Sequence, residues 1–179
     1  MTETAKVYGD SLYELSLEEN SAAAMLTELD GVVELFRQNP DYKRLLSEPS
    51  LPRAERLGLL DEAFRGRTDP YLLNFMKLLC ERGSIGELAG CARQFRRRYN
   101  QDNGILEATV TSAVALTDAQ KAALGKKLSD MTGKKVDLTE KVDPSLLGGL
   151  RLDMEGQRFD GTVQNRLDKL RNTLANTVL

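Results

Sequence analysis

The chain has 179 residues, 41% of them hydrophobic and 29% charged, the balance of a globular protein with room for one ordinary domain or two small ones. Its 25 basic residues meet 27 acidic ones, and it contains no histidine, no tryptophan and two cysteines. This supplies no global field for nucleic acid or an anionic membrane, and removes the commonest general base and metal ligand. No apolar run approaches the ~18 residues of a spanning helix, and no charged-then-apolar start resembles a signal peptide, so a soluble protein is expected. Cys80 and Cys91 form no Cys-x-x-Cys pair; on apolar helical faces they are expected to be small buried hydrophobes.

The first hundred residues carry helical periodicity. Tyr8, Leu12 and Leu15 share one face of a first helix, and Met25, Leu29, Val32 and Phe36 one face of a second that ends before Asn39-Pro40. A short segment, Asp41 to Glu48, closes at Pro49, and Pro52 suits the first turn of a helix reaching about Phe64. Asp69-Pro70 opens a fifth helix through Arg82. Its Leu72, Leu73, Phe75, Met76, Leu78 and Leu79 are apolar on almost every side, as in a helix central to a bundle or covered by a partner. Gly83 ends it, and Ile85, Leu88, Ala92, Phe95 and Tyr99 make a sixth stripe.

Asn100 to Gly104 is turn-rich, and the period changes beyond it. Leu106, Ala108, Val110, Ser112 and Val114 alternate as a strand; Thr117 and Gln120 have capping-box spacing for a helix to about Thr132. Val136, Leu138 and Val142 form a second alternating run. The glycine pair Gly148-Gly149 precedes a third, in which Leu150, Leu152 and Met154 alternate with Arg151 and Asp153. After a tight return, Val163, Leu167, Leu170 and Leu174 recur at helical spacing, with Asp160 and Thr162 as candidate caps. The expected class is α+β: a six-helix bundle over residues 1–103, then a small β-α-β-β-α domain over 104–179.

Three features invite sharper readings. The glycine pair lacks the further glycines, Lys and Ser/Thr spacing of a phosphate loop, so a structural turn is expected. Asp143, Asp153, Glu155 and Asp160 sit at turn or alternating positions with basic neighbours, the pattern of solvated charge rather than a metal cluster. Arg93, Arg96, Arg97 and Arg98, interleaved with Phe95 and Tyr99, form a candidate nucleic-acid stripe. Cations near a helix C-terminus are also favoured by its dipole, at about 0.3–1 kcal/mol each. With no second basic stretch, no nucleic-acid partner is expected.

The order of residues carries a resemblance. Val142, Asp143, Pro144, Gly148, Gly149, Asp160, Thr162 and Leu167 follow the C-terminal signature of the delta subunit of F-type ATP synthases, the bacterial relative of the mitochondrial oligomycin sensitivity-conferring protein. Thr109 to Leu116 is similar to that family's Val-Thr-Ser-Ala strand and linker; Asn74-Phe75 with Leu78-Leu79 resembles its fifth helix, and Val7 to Leu15 its first. Two positions depart: Gly9 stands where the family often has alanine, and Ser84 where it tends to have arginine.

The resemblance implies a non-catalytic stator subunit without cofactor or metal, joining the alpha/beta head to the b-subunit stalk against rotor torque during proton- or sodium-driven ATP synthesis. It further implies that the first and fifth helices receive the N-terminal helix of an alpha subunit, with Tyr8, Ser11, Leu12 and Leu15 on one wall and Phe75, Leu78 and Arg82 on the other. The last helix, through Val163, Leu167, Leu170 and Leu174, is the candidate contact for the C-terminal ends of the b subunits, its alternative being packing on its own sheet. The implied location is peripheral, at the cytoplasmic face of a bacterial cell membrane, with no direct membrane insertion. A nucleic-acid-binding regulator is the competing class.

Overall fold

A computed structural model describes residues 2–146, 148–154 and 156–162. The class is α+β, and the chain divides into two compact units between Tyr99 and Asn100.

The first unit is built from α1 (Glu3–Glu18), α2 (Ala22–Gln38), α3 (Pro40–Leu46), α4 (Arg53–Phe64), α5 (Pro70–Glu81), a 3-10 turn (Ile85–Glu87) and α6 (Leu88–Asp102). Local chemistry sets their ends. Thr2 caps α1 by accepting from the Ala5 amide, and Asp69 caps α5 by accepting from Tyr71, with Pro70 at the first helical position where no amide is needed. α5 stops in a Schellman motif: the Gly83 and Ser84 amides donate back to Cys80 and Leu79 while Gly83 takes φ +65°. α1 ends the same way around Asn20 at φ +53°, with the Asn20 and Ser21 amides donating to Leu17 and Ser16. The turn expected from Asn100 begins later, because Asn100 to Asp102 complete the last turn of α6.

The core draws on every helix: Leu12 and Tyr13 from α1, Leu29 and Phe36 from α2, Leu46, Leu60, Met76 and Phe95 from α3 to α6. Edge-on aromatic pairs knit it, Tyr13 on Phe95 at 5.3 Å and Phe36 on Phe64 at 6.2 Å. Two glycines let α1 and α6 approach closely. A Cβ on Gly9 would lie 2.7 Å from the Cys91 carbonyl oxygen, and one on Gly90 would lie 2.8 Å from the Ala5 Cβ. The departure at Gly9 thus has a steric reason in this chain.

The second unit holds β1 (Ile105–Ser112), α7 (Asp118–Thr132), β2 (Lys135–Val142), β3 (Leu150–Met154) and β4 (Gln157–Asp160), in sheet order β2-β1-β3-β4. β1 and β2 are parallel, which requires the crossover that α7 supplies; β1–β3 and β3–β4 are antiparallel. The Thr117–Gln120 capping box forms and Gly133 closes α7 at φ +69°. The pairing register gathers Leu106, Ala108, Val110, Val136, Leu138, Leu152, Met154 and Phe159 on one sheet face, and Glu107, Thr109, Asp137, Asp153 and Arg158 on the other. α7 packs against β2, with Leu128 buried.

β4 is an element that the sequence pattern does not announce. Its Gln-Arg-Phe-Asp offers one apolar side chain in four residues, too few to show a period. Gly156, at φ +78°, sits in the return that sets Gln157 opposite Met154. The helix expected from Val163 onward lies outside the described residues.

A candidate docking seam between the first and fifth helices

α1 and α5 meet through side chains. The Tyr8 and Phe75 rings meet edge-on at 6.4 Å, and further along the Tyr71 hydroxyl donates to Glu19 at 2.9 Å. That carboxylate pushes the Tyr71 phenol above its usual range. The residues of the expected walls divide into three roles. Leu12, 2% exposed, and Phe75, 8% exposed, serve the core. Tyr8, which touches Phe75, and Leu15 are half-buried. Ser11, Leu78 and Arg82 are exposed, with the Ser11 hydroxyl donating to the Val7 carbonyl at 3.0 Å.

Tyr71 belongs to this seam and is missing from the walls that the resemblance implies, although it lies one turn before Phe75 on the stripe Tyr71, Phe75, Leu78, Arg82. Leu78 and Tyr71 each keep 39% of their surface in water. The opposite side of α5 is fastened internally: the Lys77 ammonium meets Asp61 of α4 at 2.6 Å and, with Arg65, holds that carboxyl below its ordinary range. The arrangement offers an apolar stripe with polar ends, a pattern that helix-in-groove binding uses.

The arginine-rich face of α6 is employed within its own unit. Arg96 pairs with Asp30, and Arg98 lies 3.4 Å from Asp10 and 5.6 Å from the centre of the Tyr13 ring. Asp10 also accepts from Gln94 at 2.7 Å. Phe95 is fully buried against Tyr13, so it has no face on which a base could stack. Arg93 and Arg97 remain exposed. Both cysteines are buried free thiols, and desolvation pushes Cys91 up to about 11.

In the second unit three of the four singled-out carboxylates are engaged locally. Asp143 accepts from the Ser145 amide and hydroxyl, Asp160 likewise from Thr162, and Asp153 meets Arg158 at 2.6 Å across the β3–β4 hairpin. Those hydrogen bonds hold Asp143 and Asp160 below the usual carboxylate range. Glu155 lies outside the described residues. The glycine pair is a steric device: Gly148 and Gly149 take φ +138° and +87°, and a Cβ on Gly149 would lie 2.6 Å from the Gly161 carbonyl oxygen. Val163, Leu167, Leu170 and Leu174 fall outside the described residues.

The fold joins two unlike units, a helical one and an α/β one. Comparison with known proteins gives the family. Residues 4–174 match the family model for the ATP synthase delta (OSCP) subunit. Among curated relatives, the ATP synthase subunit delta of Prochlorococcus marinus (strain AS9601) is 34% identical, with 94% of each chain covered. That of Shouchella clausii (strain KSM-K16) is 32% identical over 95% of this chain and 94% of the relative. A chain of the Toxoplasma gondii mitochondrial ATP synthase hexamer shares the fold, with a TM-score of 0.78 at 18% identity over 98% of both chains. The chain therefore belongs to the ATP synthase delta (OSCP) subunit family, the non-catalytic subunits of the peripheral stalk. No helix among the described residues is long and apolar enough to cross a membrane.

Proposed function

We propose that this chain is the stator joint between the alpha/beta catalytic head and the b-subunit stalk. In this reading the first unit acts as a six-helix bundle whose α1/α5 seam receives the N-terminal helix of one alpha subunit. The second unit, with the segment that holds Val163, Leu167, Leu170 and Leu174, takes the C-terminal ends of the b subunits. The protein works peripherally at the cytoplasmic face of a bacterial cell membrane, with no cofactor. It carries no chemistry; it resists rotor torque so that proton or sodium flow drives conformational change in the head and is not lost in idle rotation.

The observation that carries the reading is the exposed apolar stripe of α5 beside α1. Leu78 keeps 39% of its surface in water although it lies between core residues, and covering it with an apolar partner favours association by about 1 kcal/mol. Helix-in-groove docking requires this pattern of anchors one turn apart. The test is Leu78→Asp in the full chain, titrated with a labelled peptide of the alpha-subunit N-terminus. Binding should weaken at least about tenfold while circular dichroism stays unchanged, since the substituted side chain reaches the rim and leaves a buried charge only in the complex. Unchanged affinity would sink the assignment. A chain ending near Asn103 should keep that binding and lose the b subunits in a pull-down; retained b binding would refute the division of labour.

A further inference from the structure

The turn that joins α6 to β1 carries a reactive step in the chain. Asn103-Gly104 is the one Asn-Gly pair in the sequence, and it follows directly on Asp102, the last residue of α6. In such a pair the glycine amide nitrogen can reach the asparagine side-chain carbonyl carbon, and no Cβ obstructs the approach. Asn103 is exposed, Gly104 takes φ +60°, and a Cβ built on Gly104 would meet nothing within 4 Å. The Gly104 amide, the nucleophile of the reaction, reaches the Gln101 carbonyl only at 3.4 Å, longer than a normal bond of this kind. Comparable pairs elsewhere are tied down. At Asn20-Ser21 the Ser21 amide donates to Ser16 at 2.9 Å within the motif that ends α1. At Asp160-Gly161 the Gly161 amide donates to Leu150 at 2.9 Å, and Thr162 holds the carboxylate. Asp30-Gly31 lies inside α2, with Asp30 paired to Arg96.

We propose that Asn103 is a deamidation site, converting with time to aspartate and isoaspartate in the native protein. The Gly104 nitrogen gives up its proton and attacks Cγ of Asn103. A C–N bond forms, ammonia leaves with that proton, and a succinimide ring closes. Water then opens the ring. Cleavage of the new Cγ–N bond leaves aspartate at 103 on an ordinary main chain. Cleavage of the original peptide bond leaves isoaspartate, in which the main chain runs on through Cβ and Cγ. Water is the only co-reactant. The isoaspartate form lengthens the main chain by one carbon where the sheet of the second unit begins. There the Gly104 carbonyl accepts from the Lys135 amide at 2.9 Å, and Ile105, next in the chain, opens the parallel β1–β2 register opposite Lys135. The Lys135 bond is the one that the added carbon disturbs, so the age of the molecule is written at the first rung of the ladder.

The experiment ages the full chain for days in mildly alkaline buffer, with a parallel sample in mildly acidic buffer. Digests are then sequenced by mass spectrometry with electron-transfer fragmentation, which tells isoaspartate from aspartate. Position 103 should convert at least about tenfold faster than Asn20, whose following amide is locked in a hydrogen bond. Conversion should be faster in the alkaline sample, because loss of the amide proton precedes ring closure. Asn103→Gln should lose the conversion, since the longer side chain closes its ring poorly. Hydrogen exchange on the separated forms reads the consequence. The Lys135 amide should exchange at least about threefold faster in the isoaspartate form than in the parent chain. Asn103→Asp, which adds the charge without the extra carbon, should leave that amide within about twofold of the parent. An intact Asn103, or conversion spread evenly over the asparagines, overturns the site. An isoaspartate form whose Lys135 amide exchanges as in the parent overturns its effect on the sheet.

Discussion

The contact between α1 and α6 sets up a prediction in which one substitution changes sign with its background. Gly90 faces Ala5, and an added Cβ would sit 2.8 Å from the Ala5 methyl, where carbon atoms prefer about 3.5–4.0 Å. Gly90→Ala gains up to about 1 kcal/mol of helix propensity but overpacks a buried interface at a cost of about 1–3 kcal/mol, so it should destabilise the first unit. Ala5→Gly alone loses about 1 kcal/mol of propensity and about 0.8 kcal/mol of methyl burial. In the Ala5→Gly background, however, the new methyl at position 90 enters the space the old one left. Gly90→Ala should there be stabilising by about 1 kcal/mol, a coupling of about 2 kcal/mol between the sites. The assay is thermal unfolding followed by intrinsic tyrosine fluorescence. The chain has five tyrosines and no tryptophan, and Tyr8, Tyr13, Tyr42, Tyr71 and Tyr99 all lie in the first unit. Each kcal/mol should move the midpoint by about 4–8 °C in a unit of this size. Effects that add to within about 0.5 kcal/mol would show that the two methyls do not compete for one space.

Other positions give sharp expectations from the same geometry. Gly9→Ala should destabilise the first unit by about 1–2 kcal/mol despite better helix propensity, because its Cβ would press on the Cys91 carbonyl; a raised midpoint would mean that α6 yields easily. Gly149→Ala combines a φ of +87° with a 2.6 Å approach to the Gly161 oxygen, and should cost at least about 2 kcal/mol, read as faster amide exchange across β1 and β3. Asp61, held low by Lys77 and Arg65, contributes stability above the ordinary carboxylate range that is lost as pH falls through its lowered pKa. Below about pH 4, Asp61→Asn should therefore lose less stability with acid than the parent chain does; equal acid sensitivity in urea titrations would dissociate this pair from the effect.

Much of the architecture was legible because its signals are local. A proline after Asn39 or Asp69, a threonine three residues before Gln120, and leucines at turn spacing act through backbone groups a few residues away. The helices and β1 to β3 follow from such cues, while β4, with one apolar residue in four, has no periodic signal and exists because β3 offers it an edge. The family resemblance points to α1 and α5, but no periodic rule separates their residues. Leu12 and Leu15 lie on one stripe, yet the first is in the core and the second half-buried at the seam.

The same limit explains the arginine-rich end of α6. Its spacing suggests an open basic stripe, whereas Arg96 and Arg98 turn to Asp30 and Asp10, 66 and 88 residues away in the chain. Gly9 likewise looks like a weakness in α1 until the α6 backbone arrives beside it. Hydrophobic period describes the face that a helix offers, and capping chemistry describes where it stops. Which part of that face meets a neighbour, which charge finds an opposite one and which glycine must stay bare depend on elements remote in sequence. Those outcomes are set by close packing, which acts through space over a few ångströms and leaves no mark on the local order of residues.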